Sequence, residues 1–248
     1  MARRRARRSG QHRITRWVFA LIIVVAAAVI LKGRLVVHDI RITGNRNILA
    51  SRVVELSGLE IGTDMLRVDE QAIRRGIERD PYLQVARVEM QYPSTVAITV
   101  RESRPSAVIE SLGIYLLIDE ECRLLAFLSD REQAGVLVVT GVEVASQREG
   151  MRIGTNPPGQ ADDLQRLLGA VSANGVENQI TELNVENLDN LYLMTPIGVQ
   201  VLLGDDGQLA EKMIWFEVVY RQLVDADARG GTLDVSSARN GVYTPPDG

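Results

Sequence analysis

A run of fifteen uncharged, mostly apolar residues, Trp17 to Leu31, constrains this chain more than any other feature of its sequence. As a helix it would be roughly 22 Å long at about 1.5 Å per residue, somewhat short of the ~30 Å hydrocarbon core of a bilayer. The shortfall closes if Arg16, Lys32 and Arg34 extend their long side chains to the headgroups. The sequence therefore predicts one membrane-spanning helix at residues 17–34.

Basic residues are concentrated before this run. Residues 1–16 hold seven arginines and no acid, which leaves 21 of the 28 basic residues against all 32 acidic residues in the rest of the chain. Positive charge stays on the cytoplasmic side of a membrane. The sequence thus predicts a cytoplasmic tail at 1–16 and an extracytoplasmic body from about residue 35, the topology of a single-pass type II membrane protein.

The sequence of this region also fits two other interpretations. The arginines could form a nucleic-acid patch, but the apolar run after them favours a membrane-orientation signal. A cleaved signal peptide would also begin basic and apolar, and Ala26–Ala28 loosely fits a cleavage site. The apolar run continues through Leu31, however, where a cleaved signal would turn polar.

Alternating and helical patterns follow in the order strand, helix, helix, strand, strand. Strand 36–43 is predicted to place Ile40 and Ile42 on one face together with Val36 and His38. A helix at 49–57 stops at Gly58, and a second one begins at the N-cap Asp69 and stops at Asp80-Pro81. Strands at 85–92 and 95–101 form a hairpin, in which Val88 and Met90 are predicted to lie opposite Val85.

Residues 106–248 are predicted to form a β-rich region with two helices. Short apolar strands precede a helix at about 161–173, and three more strands precede a long helix at about 207–224. The apolar stripe of the long helix, Leu209, Met213, Phe216, Val219 or Tyr220, and Leu223, is predicted to be core. A final strand at 232–236 and a polar tail at 241–248 end the chain.

Several short motifs carry a resemblance to a known family. They are Ile40-Arg41-Ile42-Thr43-Gly44-Asn45-Arg46, Gly58-Leu59, Ile61-Gly62, Asp80-Pro81-Tyr82, Ala86-Arg87-Val88, Tyr92-Pro93 and Val100-Arg101-Glu102-Ser103-Arg104-Pro105. This part of the chain resembles the POTRA domain of the FtsQ/DivIB family, and the remainder more loosely resembles that family's β-domain. The resemblance implies an α+β fold with a single N-terminal transmembrane helix, a β-α-α-β-β POTRA domain at 35–105 and, at 106–240, a β-rich α+β domain with a long C-terminal helix.

The same resemblance implies a function. The expected protein is a bitopic scaffold of the bacterial divisome, located in the cell membrane at the division septum. It is expected to link cytoplasmic and extracytoplasmic division proteins and to promote septum assembly through protein–protein binding. The implied partners are FtsB-type and FtsL-type division proteins and, indirectly, the septal peptidoglycan synthase complex. They are expected to dock on an open edge strand at 231–236. The candidate contact residues are Leu233, Asp234, Val235, Gly241, Val242 and Tyr243.

Residue types needed for several kinds of catalysis are scarce. His38 is the only histidine beyond the predicted span, Cys122 is the only cysteine, and the HExxH, GxxxxGK[ST] and GxGxxG motifs do not occur. No enzyme activity, cofactor, metal site or nucleic-acid partner is therefore expected. The acidic cluster Asp119-Glu120-Glu121 is predicted to be a solvated hairpin tip.

Two alternatives belong to other classes of protein. A membrane-anchored wall hydrolase could use a pair of carboxylates, which are abundant in this chain. A POTRA-bearing transport or assembly factor would need a C-terminal series of amphipathic strands of about 10 residues. The acidic region at 205–248, with its helix, argues against such a series.

Overall fold

The computed structural model describes residues 16–23, 35–130 and 134–246. Residues 16–23 are helical. Within the described ranges, no helix is both long and apolar enough to cross a membrane. The rest of the predicted span, 24–34, lies outside the described residues, as does most of the predicted cytoplasmic tail. The chain divides into two compact units, one reaching Arg79 and including Leu83–Glu102, the other formed by Asp80–Tyr82 and the chain from Ser103 onward.

The first unit has the predicted β-α-α-β-β order. Its elements are β1 (Asp39–Thr43), α1 (Ala50–Ser57), a 3₁₀ turn (Met65–Arg67), α2 (Glu70–Ile77), β2 (Leu83–Gln91) and β3 (Thr95–Glu102). β3 is the central strand, pairing in parallel with β1 and antiparallel with β2. The two helices cover one face of this sheet, and the apolar core is buried between the helices and the sheet.

Local signals in the sequence set the helix ends. The Asp69 carboxylate accepts hydrogen bonds from the backbone N–H of Gln71 and Ala72, at 2.9 and 3.2 Å, and so caps α2. Gly58 ends α1 in the left-handed conformation, with φ of +63°, which glycine adopts without steric strain. Both predicted helix boundaries are confirmed to within a residue or two.

The prediction for the start of the first strand was partly wrong. Val37 is fully buried and His38 is exposed, whereas the alternation placed His38 on the apolar face. The predicted alternation fails here because residues 35–37 do not continue β1 but pair with residues 63–65. The strand proper begins at Asp39.

A β-bulge corrects the predicted faces of the hairpin. The pairing of β2 with β3 shifts between Val85 and Arg87, so one extra residue interrupts the alternation. Val85 is buried, and Val88 and Met90 pack against the same core. The prediction that Val85 lies opposite Val88 was therefore wrong.

The second unit is a mixed sheet with two helices. Its elements are β4 (Ala107–Ser111), β5 (Ile114–Ile118), β6 (Leu124–Leu128), β7 (Leu137–Thr140), β8 (Val144–Ser146), β9 (Gly154–Thr155), α3 (Gln160–Asn174), a 3₁₀ turn (Glu177–Gln179), β10 (Glu182–Asn184), β11 (Leu191–Met194), β12 (Gln200–Gly204), α4 (Leu209–Asp225), β13 (Thr232–Asp234) and β14 (Val242–Thr244). Among the described residues the main sheet runs β14-β13-β12-β11-β10-β7-β4-β5-β6. The chain is thus α+β, as predicted.

Helices α3 and α4 bury one face of this sheet. The predicted stripe of α4 is confirmed as core, since Met213 and Phe216 are fully buried and Tyr220 nearly so. Lys212 on the same helix is also buried, and its ammonium group donates to the carbonyl and the carboxylate of Asp205 at 2.9 and 2.7 Å. These bonds compensate for burying the charge and fix the start of α4 to the end of β12.

The turn between β5 and β6 is only partly solvated, since Asp119 is buried, Glu121 is half-buried and Glu120 is exposed. Asp119 is only 4% exposed, and its carboxylate accepts hydrogen bonds from the backbone N–H of Glu121 and Arg123 at 3.0 and 2.9 Å. The prediction of a solvated tip was therefore wrong for this residue. Cys122 in the same turn is fully buried, and its thiol donates to the carbonyl of Ala161 at 3.4 Å.

The buried thiol gives the protein a pH-dependent stability. Burial raises the pKa of Cys122 to about 12, whereas a thiol in an unfolded chain ionises at about 8.5. The free energy of unfolding is thus unaffected by this group below about pH 8.5 and falls above it, by up to about 1.4 kcal/mol per pH unit. We expect Cys122→Ala to lose stability less steeply than the parent between about pH 9 and 11 in urea titrations.

Tyr82 and Tyr220 also have pKa values raised by burial. They are present in both proteins, so their effect cancels in the comparison. Parallel curves for the parent and for Cys122→Ala would show that the thiol ionises equally in the folded and unfolded chains.

Candidate partner-binding site

The predicted open edge at 231–236 is not an edge. β13 lies between β12 and β14, because Leu233 pairs in parallel with Val201 and antiparallel with Tyr243. Residues 242–244, predicted as part of a tail, return to form β14 and cover the strand. Among the described residues, the sheet therefore ends at β14 on this side.

The six predicted contact residues differ in how far they are exposed. Leu233 and Val235 are fully buried in the core beneath the helices, so their side chains are inaccessible to a partner. Asp234 and Val242 are exposed cross-strand neighbours, and Val242 is 53% exposed. Tyr243 is half-buried against the core.

Gly241, the sixth residue, has a packing role. A Cβ atom at this position would lie 2.9 Å from Cγ2 of Val219 and 3.3 Å from Cδ1 of Leu233. These distances are shorter than ordinary van der Waals contact, so any side chain would push β14 away from α4. Gly241 therefore permits β14 to approach the core rather than contacting a partner through a side chain.

Two further contacts hold β14 in place. The Tyr243 hydroxyl donates to the carbonyl of Gly230 at 2.9 Å. Gly231 has a φ of +86°, and a Cβ there would lie 2.5 Å from the carbonyl oxygen of Thr244. Sequence reasoning missed the roles of Gly230 and Gly231, although a Gly-Gly pair before a short strand indicates an unusual backbone conformation.

The backbone of Tyr243 points away from the sheet. Gly231 and Val235 exchange hydrogen bonds with β12, through Gln200 N–H to Gly231 O at 3.1 Å and Val235 N–H to Leu202 O at 3.0 Å. Successive residues of a strand direct their backbone groups to opposite sides, so Thr232 and Asp234 face β14. The groups of their partners, Thr244 and Val242, face back toward β13. The N–H and C=O of Tyr243 consequently project from the outer edge.

One face of the sheet beside this edge is not fully buried. Tyr192, Leu202, Asp234 and Val242 are consecutive cross-strand partners, and all are half-buried or exposed. One oxygen of the Asp234 carboxylate accepts from the Ser236 N–H and hydroxyl at 2.9 and 2.6 Å. A strand added to β14 would thus meet outward backbone groups and a partly apolar row of side chains.

Metal coordination requires several ligand side chains close together. Within the part of the chain that the structure describes, no three or more His, Cys, Asp or Glu side chains are grouped so that they could bind a metal ion. The exposed ring of His38 hydrogen-bonds the carbonyl of Val36 at 3.0 Å.

Comparison with protein families identifies the two units. A POTRA domain of the FtsQ type matches residues 35–103, which confirms the resemblance that the motifs of this region carry. The C-terminal domain of the cell division protein FtsQ/DivIB matches residues 107–236, more than half of the chain. The chain belongs to the FtsQ/DivIB family of cell division proteins. This match favours the resemblance over the transport-factor alternative.

Individual proteins similar to this chain are FtsQ and DivIB cell division proteins. The cell division protein FtsQ of Anaeromyxobacter sp. (strain K) is 28% identical over 201 residues, covering 80% of this chain and 66% of that protein. The DivIB of Geobacillus kaustophilus is 36% identical over 89 residues, covering 36% of this chain and 34% of that protein. The chain thus spans about two thirds or less of the length of these relatives.

One solved structure is also similar to this chain. It is the major extracytoplasmic domain of DivIB from Geobacillus stearothermophilus, and the match covers 52% of this chain and 98% of that one, at 17% identity and a TM-score of 0.32.

Proposed function

We propose that this cell division protein is a non-enzymatic scaffold that binds partner proteins by adding a partner strand to β14. The outward N–H and C=O of Tyr243 carry the proposal, because an unpaired strand edge recruits another strand through backbone hydrogen bonds. Exposed Val242 and its cross-strand neighbours would contact alternate side chains of the added segment and so supply specificity.

The proposed partners are FtsB-type and FtsL-type division proteins, with septal peptidoglycan synthases recruited through them. Membership of the FtsQ/DivIB family supports this choice. Because the free edge is β14, the contact is expected to centre on Val242–Thr244 rather than on β13. Asp234, next to Val242, would lie at its border.

The proposed anchor is the helix predicted at 17–34, with the N-terminus in the cytoplasm and both units outside. Seven arginines before the apolar run and the acidic body after it support this orientation. A membrane anchor would keep the scaffold in the cell membrane, where the division septum forms. The POTRA domain would occupy 35–105, next to the anchor.

The proposal can be tested in cells by following a partner. Cells depleted of their own copy would express this chain with an N-terminal fluorescent protein, together with an FtsB-type partner carrying a second colour. We expect the partner to gather at the septum with the full chain. The partner should remain dispersed with a chain ending at Pro105, which keeps the predicted anchor and the POTRA domain but lacks all later elements, including β14.

Septal gathering of the partner with the shortened chain would contradict a docking site in the second unit. Green fluorescent protein at the N-terminus should be fluorescent in the cytoplasm, and its appearance outside the cell membrane would contradict the orientation. Both chains must be present at equal levels in the membrane fraction for the comparison to hold.

A further inference from the structure

The 3₁₀ turn Met65–Arg67 presents an exposed apolar side chain at its tip. Met65 is buried, but Leu66 is 61% exposed, and the Arg67 side chain is 86% exposed with its Nε 3.8 Å from the Asp64 carboxylate. The turn is held by Asp64, whose carboxylate accepts from the Leu66 N–H at 2.9 Å and whose carbonyl accepts from the Arg67 N–H at 2.9 Å. Leu66 is thus kept at the surface by a fixed backbone.

Backbone pairing places this turn beside the start of the extracytoplasmic chain. Residues 62–65 pair antiparallel with residues 35–37, through Gly62 N–H to Val37 O at 2.7 Å, Val37 N–H to Thr63 O at 2.8 Å and Met65 N–H to Leu35 O at 2.9 Å. In this register, higher numbers in the loop lie toward lower numbers in the partner segment. Leu66 therefore lies at the end from which the chain leaves the predicted span.

Ile61 marks the opposite end of the same pairing. It is 62% exposed, almost the same fraction as Leu66, and it precedes Gly62, which bonds to Val37. Three residues of extended chain separate the two ends of the paired segment, a distance of roughly 10 Å. The two residues are similar in exposure and apolar character but differ in their distance from the predicted membrane.

We propose that Leu66 inserts into the outer interface of the lipid bilayer while Arg67 binds anionic headgroups beside it. This inference rests on the proposed membrane anchor at 17–34, which ends one residue before Leu35. Because Leu35 is hydrogen-bonded to Met65, a membrane that begins there would meet the turn directly. An apolar side chain is stabilised when it moves from water into the interface, and arginine can place its charge among the headgroups.

This contact would fix the orientation of the POTRA domain on the membrane. The covalent link through Leu35 alone would leave the domain free to rotate. A second point of contact at Leu66, held by the Asp64 cap, would restrict that rotation.

The test is to measure the membrane depth of nitroxide labels on the full chain. Single variants Leu66→Cys, Ile61→Cys and Ile22→Cys would be labelled and reconstituted into vesicles of phosphatidylcholine and phosphatidylglycerol. The unmodified chain controls for labelling at Cys122, which is fully buried. Collision of each label with oxygen, which concentrates in bilayers, and with a water-soluble nickel chelate reports its depth.

We expect the label at residue 22 to lie in the hydrocarbon core. The label at 66 should lose access to the nickel chelate and gain access to oxygen relative to the label at 61. If residue 22 lies in the core but residues 66 and 61 are equally accessible to nickel, the membrane contact is disproved and the anchor stands. If residue 22 is in water, the proposed anchor and the contact that depends on it are both disproved.

Discussion

The Ile98→Asp variant is expected to unfold the first unit while the second unit stays folded. Ile98 is fully buried on the central strand β3, between Ile42 of β1 and Val88 of β2. A carboxylate there has no hydrogen-bond partner and costs several kcal/mol, a large part of the ~5–15 kcal/mol that stabilises a typical domain. Urea titration followed by circular dichroism should lose one transition and keep the other.

Ala97→Asp is the matched control for this variant. Ala97 is the preceding residue of β3, points to the opposite face and is half-exposed. Its carboxylate stays in contact with water, so we expect a loss of about 1 kcal/mol or less, within the range of strand propensities. Equal destabilisation by the two substitutions would mean that the inward face of β3 has been assigned incorrectly.

Features set by local chemistry were predictable from the sequence. Gly58 and Asp69 mark the ends of helices because left-handed backbone and N-capping depend on the residue itself. The stripe on α4 follows from the helical period alone. These signals are sufficient for the order of elements in the first unit and for the two helices of the second unit.

Features set by distant contacts were not predictable. The bulge at Ala86 depends on how β2 registers against β3, and the pairing of Val37 with Thr63 depends on a loop 26 positions away. Alternation in the sequence shows which residues share a face only when the strand is regular and its partner is known. Each local interruption therefore reversed the predicted face of the neighbouring residues.

At the candidate site, too, the features that depend on distant contacts were not predictable from the sequence. Gly241, Val242 and Tyr243 were selected by resemblance, but the strand that they begin is only three residues long and is followed by Pro245. Such a segment has too few residues for a periodic signal. β14 forms because Gly231 and Gly241 admit it next to β13 and α4, which is a tertiary effect.

Replacing Tyr243 with proline is expected to weaken the proposed partner binding strongly. The Tyr243 N–H points outward, so proline would not remove a hydrogen bond between β14 and β13. It would remove the donor offered to an added strand, and its ring would obstruct that strand. Because an unpaired partner carbonyl costs about 1–3 kcal/mol, we expect the Kd to rise roughly 10-fold or more.

Tyr243→Ala separates the backbone effect from the side-chain effect. Both variants lose the aromatic ring and its hydrogen bond to Gly230, but alanine keeps the backbone N–H. Calorimetric titration of the purified full chain with the extracytoplasmic segment of an FtsB-type protein should therefore show a much smaller loss of affinity for Tyr243→Ala than for Tyr243→Pro. Thermal midpoints of the two variants should agree, which would show that proline adds no loss of folding stability beyond that caused by losing the ring. Equal affinities for the two variants would show that the partner does not use this backbone donor, and the edge strand β6, at the other end of the sheet, would then be the next site to test.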